Sequence, residues 1–222
     1  LVLCGRNADR LEGLRKELSK LTEVTSLQFD VSNRIAVENA IKSLPENFKT
    51  IDILINNAGN AHGLSSIQEG DLDDWDAMLD INVKGLLYVS KAIFPQMIAR
   101  NSGFIVNIGS IAGKEVYPNG NVYCASKHAV NALNKGMRID LNKHNIRVSA
   151  IHPGAVETAF SEVRFKGDTE KAAAVYKGYK PLQAEDIADI IYFVVTRPYH
   201  VNIEDLVVYP TAQANATIMN KD

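Results

Sequence analysis

Phe104-Ile105-Val106-Asn107-Ile108-Gly109-Ser110 decides how the rest of the chain is read. A short, nearly continuous apolar run that ends in Gly-Ser reads as a strand buried on both faces, as in a parallel sheet. Similar runs occur at Leu1–Gly5, Val24–Phe29, Ile51–Ile55, Val148–Ile151 and Leu206–Tyr209. Longer segments with helical spacing lie between them, and this alternation predicts βαβ units around a parallel sheet. Leu11, Leu14, Leu18 and Leu21 share one helical face behind Asn7, a candidate N-cap. Ser32 is the expected cap of a second helix from about Arg34 to Leu44, closed by Pro45. Three more helical stretches are expected, from Asp71 to about Ala99, from Gly120 to Lys143 and from Ala184 to Val195. The polar segment from Glu157 to Lys180 lacks a strand pattern and is expected to form a lid over a ligand crevice.

The 222 residues suffice for one α/β domain spanning the whole chain. The formal net charge of -2 gives no electrostatic case for nucleic acid or a membrane surface. No apolar run is long enough to span a bilayer, and the opening residues show no signal-peptide pattern. Two cysteines, Cys4 and Cys124, suit free thiols in a reducing cytoplasm, the expected location. The histidines show no ligand spacing, so no metal site is expected.

The chemistry gathers around Tyr123-Cys124-Ala125-Ser126-Lys127, a Tyr-x-x-x-Lys pair on one helix face. A phenol of pKa near ~10 is a poor base at neutral pH, and a neighbouring ammonium is expected to lower it. Such a phenol can take a proton from an alcohol or return one to a carbonyl. Taken alone, the pair reads rather as an ordinary surface Tyr and Lys on a helix. Ser110 stands at the carboxyl end of a strand, where ligands of open parallel sheets bind, and its hydroxyl could hold a substrate oxygen or simply shape a turn. Asn56-Asn57-Ala58-Gly59 ends Ile51–Ile55 in the same way, either as an ordinary turn or as a close approach to a flat ligand. Asn82 lies within a helical stretch that disfavours Asn, where its amide could support the lysine through water or make an interhelical hydrogen bond.

Asn-Asn-Ala-Gly, the mid-helix Asn, the Gly-Ser strand end, Tyr-x-x-x-Lys and Pro153-Gly154-Ala155-Val156-Glu157-Thr158 follow the order found in the short-chain dehydrogenase/reductase family. The chain resembles that family over its whole length. The resemblance implies a Rossmann-type doubly wound parallel sheet in three layers, and an NADP-dependent oxidoreductase acting on a small secondary alcohol. By resemblance Tyr123 is the general acid/base, and Lys127 lowers its pKa and binds the nicotinamide ribose. Ser110 orients the substrate oxygen and Asn82 completes a proton relay. Asn56, Asn57, Ala58 and Gly59 line the adenosine side, and Asp30 with Val31 meets the adenine. Pro153, Gly154, the main chain at Val156 and the hydroxyl of Thr158 hold the nicotinamide end. The tract Phe160–Asp168 and the ending Tyr209–Ala214 are similar to the NADP-dependent 3-hydroxy acid dehydrogenases of serine and allo-threonine. A 3-hydroxy acid needs a cation for its carboxylate. Arg164 is the expected one, with Lys166 as the weaker candidate. A homotetramer paired through the two long helical stretches is also implied.

The family begins with a strand and a Gly-rich turn that binds pyrophosphate, and neither precedes Leu1. The expectation is therefore a sheet lacking its first, central strand, split in two, from an N-terminally trimmed chain that alone is unstable or inactive. After Leu1–Cys4 an NAD enzyme carries an acid for the ribose 2′-hydroxyl. Gly5, Arg6 and Asn7 stand there instead. A guanidinium binds a 2′-phosphate in a fork, so NADP is expected over NAD. The alternative reading of Arg6 is a solvated loop residue, and that of Asp30 a cap on the next helix. The competing reading is a catalytically silent dinucleotide-binding or scaffold protein. Nucleotide-sugar epimerases share the Tyr-x-x-x-Lys chemistry but use a larger substrate domain.

Overall fold

The computed structural model describes residues 1–222. The elements alternate as read from the sequence: β1 (Val2–Gly5), α1 (Ala8–Leu18), β2 (Thr25–Gln28), α2 (Arg34–Lys42), β3 (Ile53–Asn56), α3 (Leu72–Leu79), α4 (Leu86–Arg100), β4 (Gly103–Ile108), α5 (Asn121–Leu141), β5 (Ile146–Pro153), α6 (Phe160–Arg164), α7 (Thr169–Ala174), α8 (Ala184–Val195) and β6 (Asp205–Val208). All strand pairings are parallel, and the strands form two sheets, β1-β2 and β3-β4-β5-β6. The expected split is thus present. β1 bonds only β2, and β3 bonds only β4.

The four-stranded sheet is the middle of three layers, because successive side chains of a strand point to opposite faces. Ile105 and Val148 point to a core shared with Leu86, Ile93 and Met97 of α4 and Val130, Met137 and Leu141 of α5. Phe104, Val106 and Ile151 point to the opposite face, where Val194 of α8 covers them. Leu27, Phe29, Val37 and Leu44 form a smaller core around β2 and α2. No helix is long and apolar enough to cross a membrane.

Two local readings are corrected. The cap of α2 is Asn33, whose side chain accepts from the Ala36 N–H. Ser32 instead turns back, its amide and hydroxyl both donating to Asp30 Oδ1 at 2.9 and 2.7 Å. The long helix expected from Asp71 is broken by a π-helical segment, Asp80–Gly85, between α3 and α4. A wider turn admits a residue that ordinary helix spacing would not accommodate, and such turns favour functional sites. At the end of this segment a Cβ on Gly85 would lie 2.7 Å from Val31 Cγ2, so the glycine lets the chain after β2 pack against it.

Candidate active site

The carboxyl ends of β3, β4 and β5 deliver the site, and α5 crosses behind them. Ser110 follows β4 directly and caps a single 3-10 turn, Ile111–Gly113, its Oγ accepting from the Ala112 N–H at 3.1 Å. One helical turn separates Tyr123 and Lys127 on α5, and both are buried. The Lys127 Nζ donates to the Ile108 carbonyl at 3.0 Å, which ties α5 to the end of β4. Asn82 is buried in the π segment. Its Oδ1 accepts from the Asn60 N–H at 2.8 Å. Its Nδ2 donates to the Asn60 carbonyl at 2.8 Å and to Ser126 Oγ at 3.0 Å. Of the two roles read for Asn82, the interhelical hydrogen bond is therefore formed. A Cβ on Gly59 would lie 3.3 Å from both Asn82 Oδ1 and Lys127 Nζ, so the amide and the ammonium converge on the bare face of this glycine.

Electrostatics depart from the sequence reading. Burial pushes the Tyr123 phenol well above its ordinary value, while interaction with the Ser110 hydroxyl and the charge of Arg164 pull it down. Lys127 donates one hydrogen bond to a main-chain carbonyl, and burial brings its own pKa down to about 8. The cation beside Tyr123 is Arg164, whose guanidinium carbon lies 5.0 Å from the ring centroid. Arg164 also donates to Tyr117 Oη at 2.5 Å, and its main-chain carbonyl accepts from the Gly63 N–H. Its Nε is buried without a partner. Phe160, on the same short helix α6, stacks at a tilt on Tyr123 with centroids 5.6 Å apart. The lid expected after Glu157 thus closes on the phenol from α6. A small cleft opens beside it, lined by Tyr123, Arg164, Trp75, Met78, Asp74 and Asn121 among others. Lys166 is held by two acids that line the same cleft, its Nζ 2.9 Å from Asp74 Oδ1 and 3.7 Å from Asp71 Oδ2.

Asn57, Ala58 and Gly59 lie exposed at the mouth of β3. Asn56 does not face that mouth. Its amide donates into the core, to Ser90 Oγ and Asn107 Oδ1, both at 2.9 Å. Asn107 passes the chain of bonds on to Asn134. Arg6 is two-thirds exposed, with Nη1 3.6 Å from Asp30 Oδ2. Burial works to raise the Asp30 carboxyl, but the Ser32 hydroxyl and amide and the Arg6 cation outweigh it and hold it below the ordinary range. Asn7 caps α1 by accepting from the Arg10 N–H at 2.9 Å. Past β5, the Val156 carbonyl accepts from Tyr176 Oη at 2.8 Å, and Thr158 Oγ1 accepts from the Phe160 N–H at 3.3 Å. A Cβ on Gly154 would strike Gln213 Oε1, which also accepts from the Ala155 N–H, so this turn requires glycine. No group of three or more His, Cys, Asp or Glu side chains is gathered as a metal site would need.

Tyr117, His152 and Gln213 are site neighbours that the sequence reading did not single out. For His152 a usable signal was present: a histidine that follows the strand run Val148–Ile151 and directly precedes the Pro-Gly turn.

The family described as short chain dehydrogenase matches residues 1–169. The NADP-dependent 3-hydroxy acid dehydrogenase YdfG of Salmonella typhi is 43% identical over 217 residues, 97% of this chain and 87% of that protein. Sulfoacetaldehyde reductase 2 of Chromohalobacter salexigens is 43% identical over 215 residues, 96% of this chain and 85% of that protein. Among solved structures, the closed form of serine dehydrogenase complexed with NADP+ superposes with a TM-score of 0.94 at 42% identity, covering 98% of this chain and 87% of that one.

Proposed function

The chain belongs to the short-chain dehydrogenase family, and from that premise we propose that it transfers hydride between NADP and a small 3-hydroxy acid. The observation that carries the substrate class is Arg164, a half-buried arginine with an unpartnered Nε, held over the face of Tyr123 beside an open cleft. An anionic substituent a few ångströms from the reacting oxygen would complete it. The relatives named for a 3-hydroxy acid, for serine and for sulfoacetaldehyde share that substrate chemistry, a small alcohol or carbonyl bearing an anion.

The residues present fit the cofactor. The bare face of Gly59, beside Asn82 and Lys127, leaves room for a flat group against a cation. Arg6 offers an exposed guanidinium where a 2′-phosphate would lie. In this reading Arg6, Asn7, Asp30 and Val31 hold the adenosine end with Asn57, Ala58 and Gly59. Lys127 and Tyr123 hold the ribose beside nicotinamide, and Pro153, Gly154, Val156 and Thr158 hold its carboxamide end. When bound, NADP supplies the acceptor for hydride from the carbinol carbon. Ser110 hydrogen-bonds the substrate oxygen, and Tyr123 exchanges a proton with it, taking one as phenolate when a carbonyl forms and returning one as phenol when it is reduced. Burial keeps the phenol protonated at neutral pH, the form required to return a proton in carbonyl reduction.

The assembly in this reading is a cytoplasmic homotetramer. Exposed Leu72, Leu79 and Ile139, on α3 and α5, support pairing through these long helices. Light scattering at micromolar concentration checks it, and a monomer would contradict it.

The test of function uses steady-state kinetics with NADP. Tyr123→Phe should lower turnover by about 10² or more while changing cofactor affinity far less, because Lys127 still holds the ribose. Near-normal turnover would remove Tyr123 as the proton carrier. Arg164→Ala should cost a hydroxy acid on the order of 1.5–3 kcal/mol of specificity and leave an uncharged alcohol of similar size nearly unchanged. Equal losses on both would mean that Arg164 only shapes the lid.

A further inference from the structure

His152 is fully buried on β5 and lies beside Ser110. The parallel register places Ile108 beside Ile151, so the residue after each strand partner, Gly109 and His152, also come together. A Cβ on Gly109 would sit 2.3 Å from His152 Nδ1, so Gly109 is the residue that admits the ring. Nδ1 lies 3.4 Å from the Ser110 nitrogen and 3.2 Å from the Ser110 carbonyl oxygen. On the other side of the ring, Nε2 lies 3.6 Å from Asp205 Oδ1 and has no hydrogen-bond partner at shorter range. Asp205 begins β6 and pairs with Lys114, the residue that ends the 3-10 turn capped by Ser110. One carboxylate therefore faces both ends of the Ser110–Lys114 turn, pairing directly with Lys114 and lying 3.6 Å from the imidazole that contacts Ser110.

A neutral imidazole has one proton, and its surroundings choose the nitrogen. Burial and the nearby Lys114 cation favour the neutral ring, against the opposite pull of Asp205. The charged groups acting on it are Asp205 from β6, Lys114 from the turn and Lys127 from α5. With the proton on Nδ1, the bare Nε2 lone pair would face the Asp205 carboxylate. With the proton on Nε2, that repulsion becomes an attraction and Nδ1 accepts the Ser110 N–H; with the proton on Nδ1, the ring donates instead to the Ser110 carbonyl, and in either form it is bonded to the Ser110 main chain. We propose that His152 is a positioning residue for the reaction: facing Asp205, its Nδ1 bonds the Ser110 main chain and fixes the direction in which the Ser110 hydroxyl meets the substrate oxygen. The proposal rests on the role given to Ser110 above.

The experiment separates the two. Ser110→Ala alone tests that role. If it leaves kcat near normal, the reading of Ser110 fails, and the positioning role falls with it. If it lowers kcat strongly, the His152 variants decide. The side-chain oxygen of Asn can take the place of Nδ1, whereas the amide of Gln reaches only the place of Nε2. His152→Ala should lower kcat about tenfold, the scale of one lost orienting hydrogen bond, with KM and the NADP dissociation constant within about twofold. His152→Asn should recover most of that loss and His152→Gln little of it. In a Ser110→Ala background, His152→Asn and His152→Gln should turn over equally, because the group they position is gone. Equal activity of the Asn and Gln variants in the native background would overturn the proposal. So would a difference that persists without the Ser110 hydroxyl. Should His152→Ala fail to fold, the Asn and Gln pair still gives the answer.

Discussion

The two sheets are built from similar apolar strands and end up in different states. In β4, five of six residues are buried, and in β5 seven of eight. In β1 none is buried, and in β2 only Leu27. Composition does not explain this, since Val2-Leu3-Cys4 is as apolar as Phe104-Ile105-Val106. Neighbours explain it. β4 and β5 have strands on both edges and helices on both faces, whereas β1 bonds a single partner. β3, also bonded on one edge only, leaves Ile53 and Ile55 nearly half exposed. A strand's burial is thus a property of what lies beside it. The two halves also divide the proposed work. Ser110, Tyr123 and Lys127 rest on the packed half, and Arg6, Asn7 and Asp30, which would select the cofactor, on the open one.

If packing differs this much, equivalent truncations should show it. Ile105→Ala, at a side chain with no exposure in the core between β4, α4 and α5, should destabilise the protein by about 2–5 kcal/mol. Val2→Ala, at a half-buried position on β1, should cost less than about 1 kcal/mol. Urea unfolding of both variants measures the pair. Comparable losses would mean that the two halves are equally packed in solution, and the comparison would break.

Lys127 sharpens the same contrast within the packed half, because burying its ammonium has a price that pH can remove. Its pKa falls from an ordinary 10.5 to about 8 through burial. Below pH 8 the folded and unfolded chains both carry the proton, and the full cost of about 3 kcal/mol stands. As pH rises from about 8 toward 10.5, the folded protein has lost a proton that the unfolded chain still holds, so stability climbs. Lys127→Met, which removes the charge, should therefore be more stable than the native protein at pH 7. The gap should close as pH approaches 10.5. The Tyr123 phenol is common to both proteins and cancels in the difference. A gap independent of pH would show that the amine is solvated. The same variant should lose activity, since the lysine would no longer be available to the cofactor.

Much of this was legible in the sequence because it is local. Strands ending in Gly-Ser or Asn-Asn-Ala-Gly, the Asn7 cap and the four-residue spacing of Tyr123 and Lys127 each depend on neighbours within one helical turn or one strand. The π segment was not legible, because it keeps the same apolar periodicity as the helix around it. Its only trace was Asn82, a polar side chain at a buried position. Asn56 was misplaced because alternation along β3 turns it into the core, and its partners Ser90 and Asn107 are distant in sequence. The raised phenol of Tyr123 is likewise a consequence of burial under α6, which no spacing rule reports. His152 and Asp205 are 53 residues apart by number and meet only because β5 and β6 are adjacent.

The smallest effect belongs to the open half. Arg6 is two-thirds exposed, and its one ionic partner, Asp30, lies 3.6 Å away and is itself partly solvated. An exposed pair of that kind contributes about 0–1 kcal/mol to stability, so Arg6→Ala should leave the denaturation midpoint nearly unchanged. Its effect should fall on cofactor choice. A guanidinium that takes a 2′-phosphate with charge-assisted hydrogen bonds contributes roughly 1.5–3 kcal/mol. The Michaelis constant for NADP should therefore rise about tenfold to a hundredfold, while that for NAD stays within about twofold. Because the site is open to solvent, added salt should weaken NADP binding to the native protein and narrow the gap to the variant. Turnover at saturating NADP should be preserved, since the reacting groups rest on the other sheet. Equal losses for NADP and NAD would show that Arg6 supports the loop after β1 rather than the phosphate, and cofactor selection would have to be sought outside the open half.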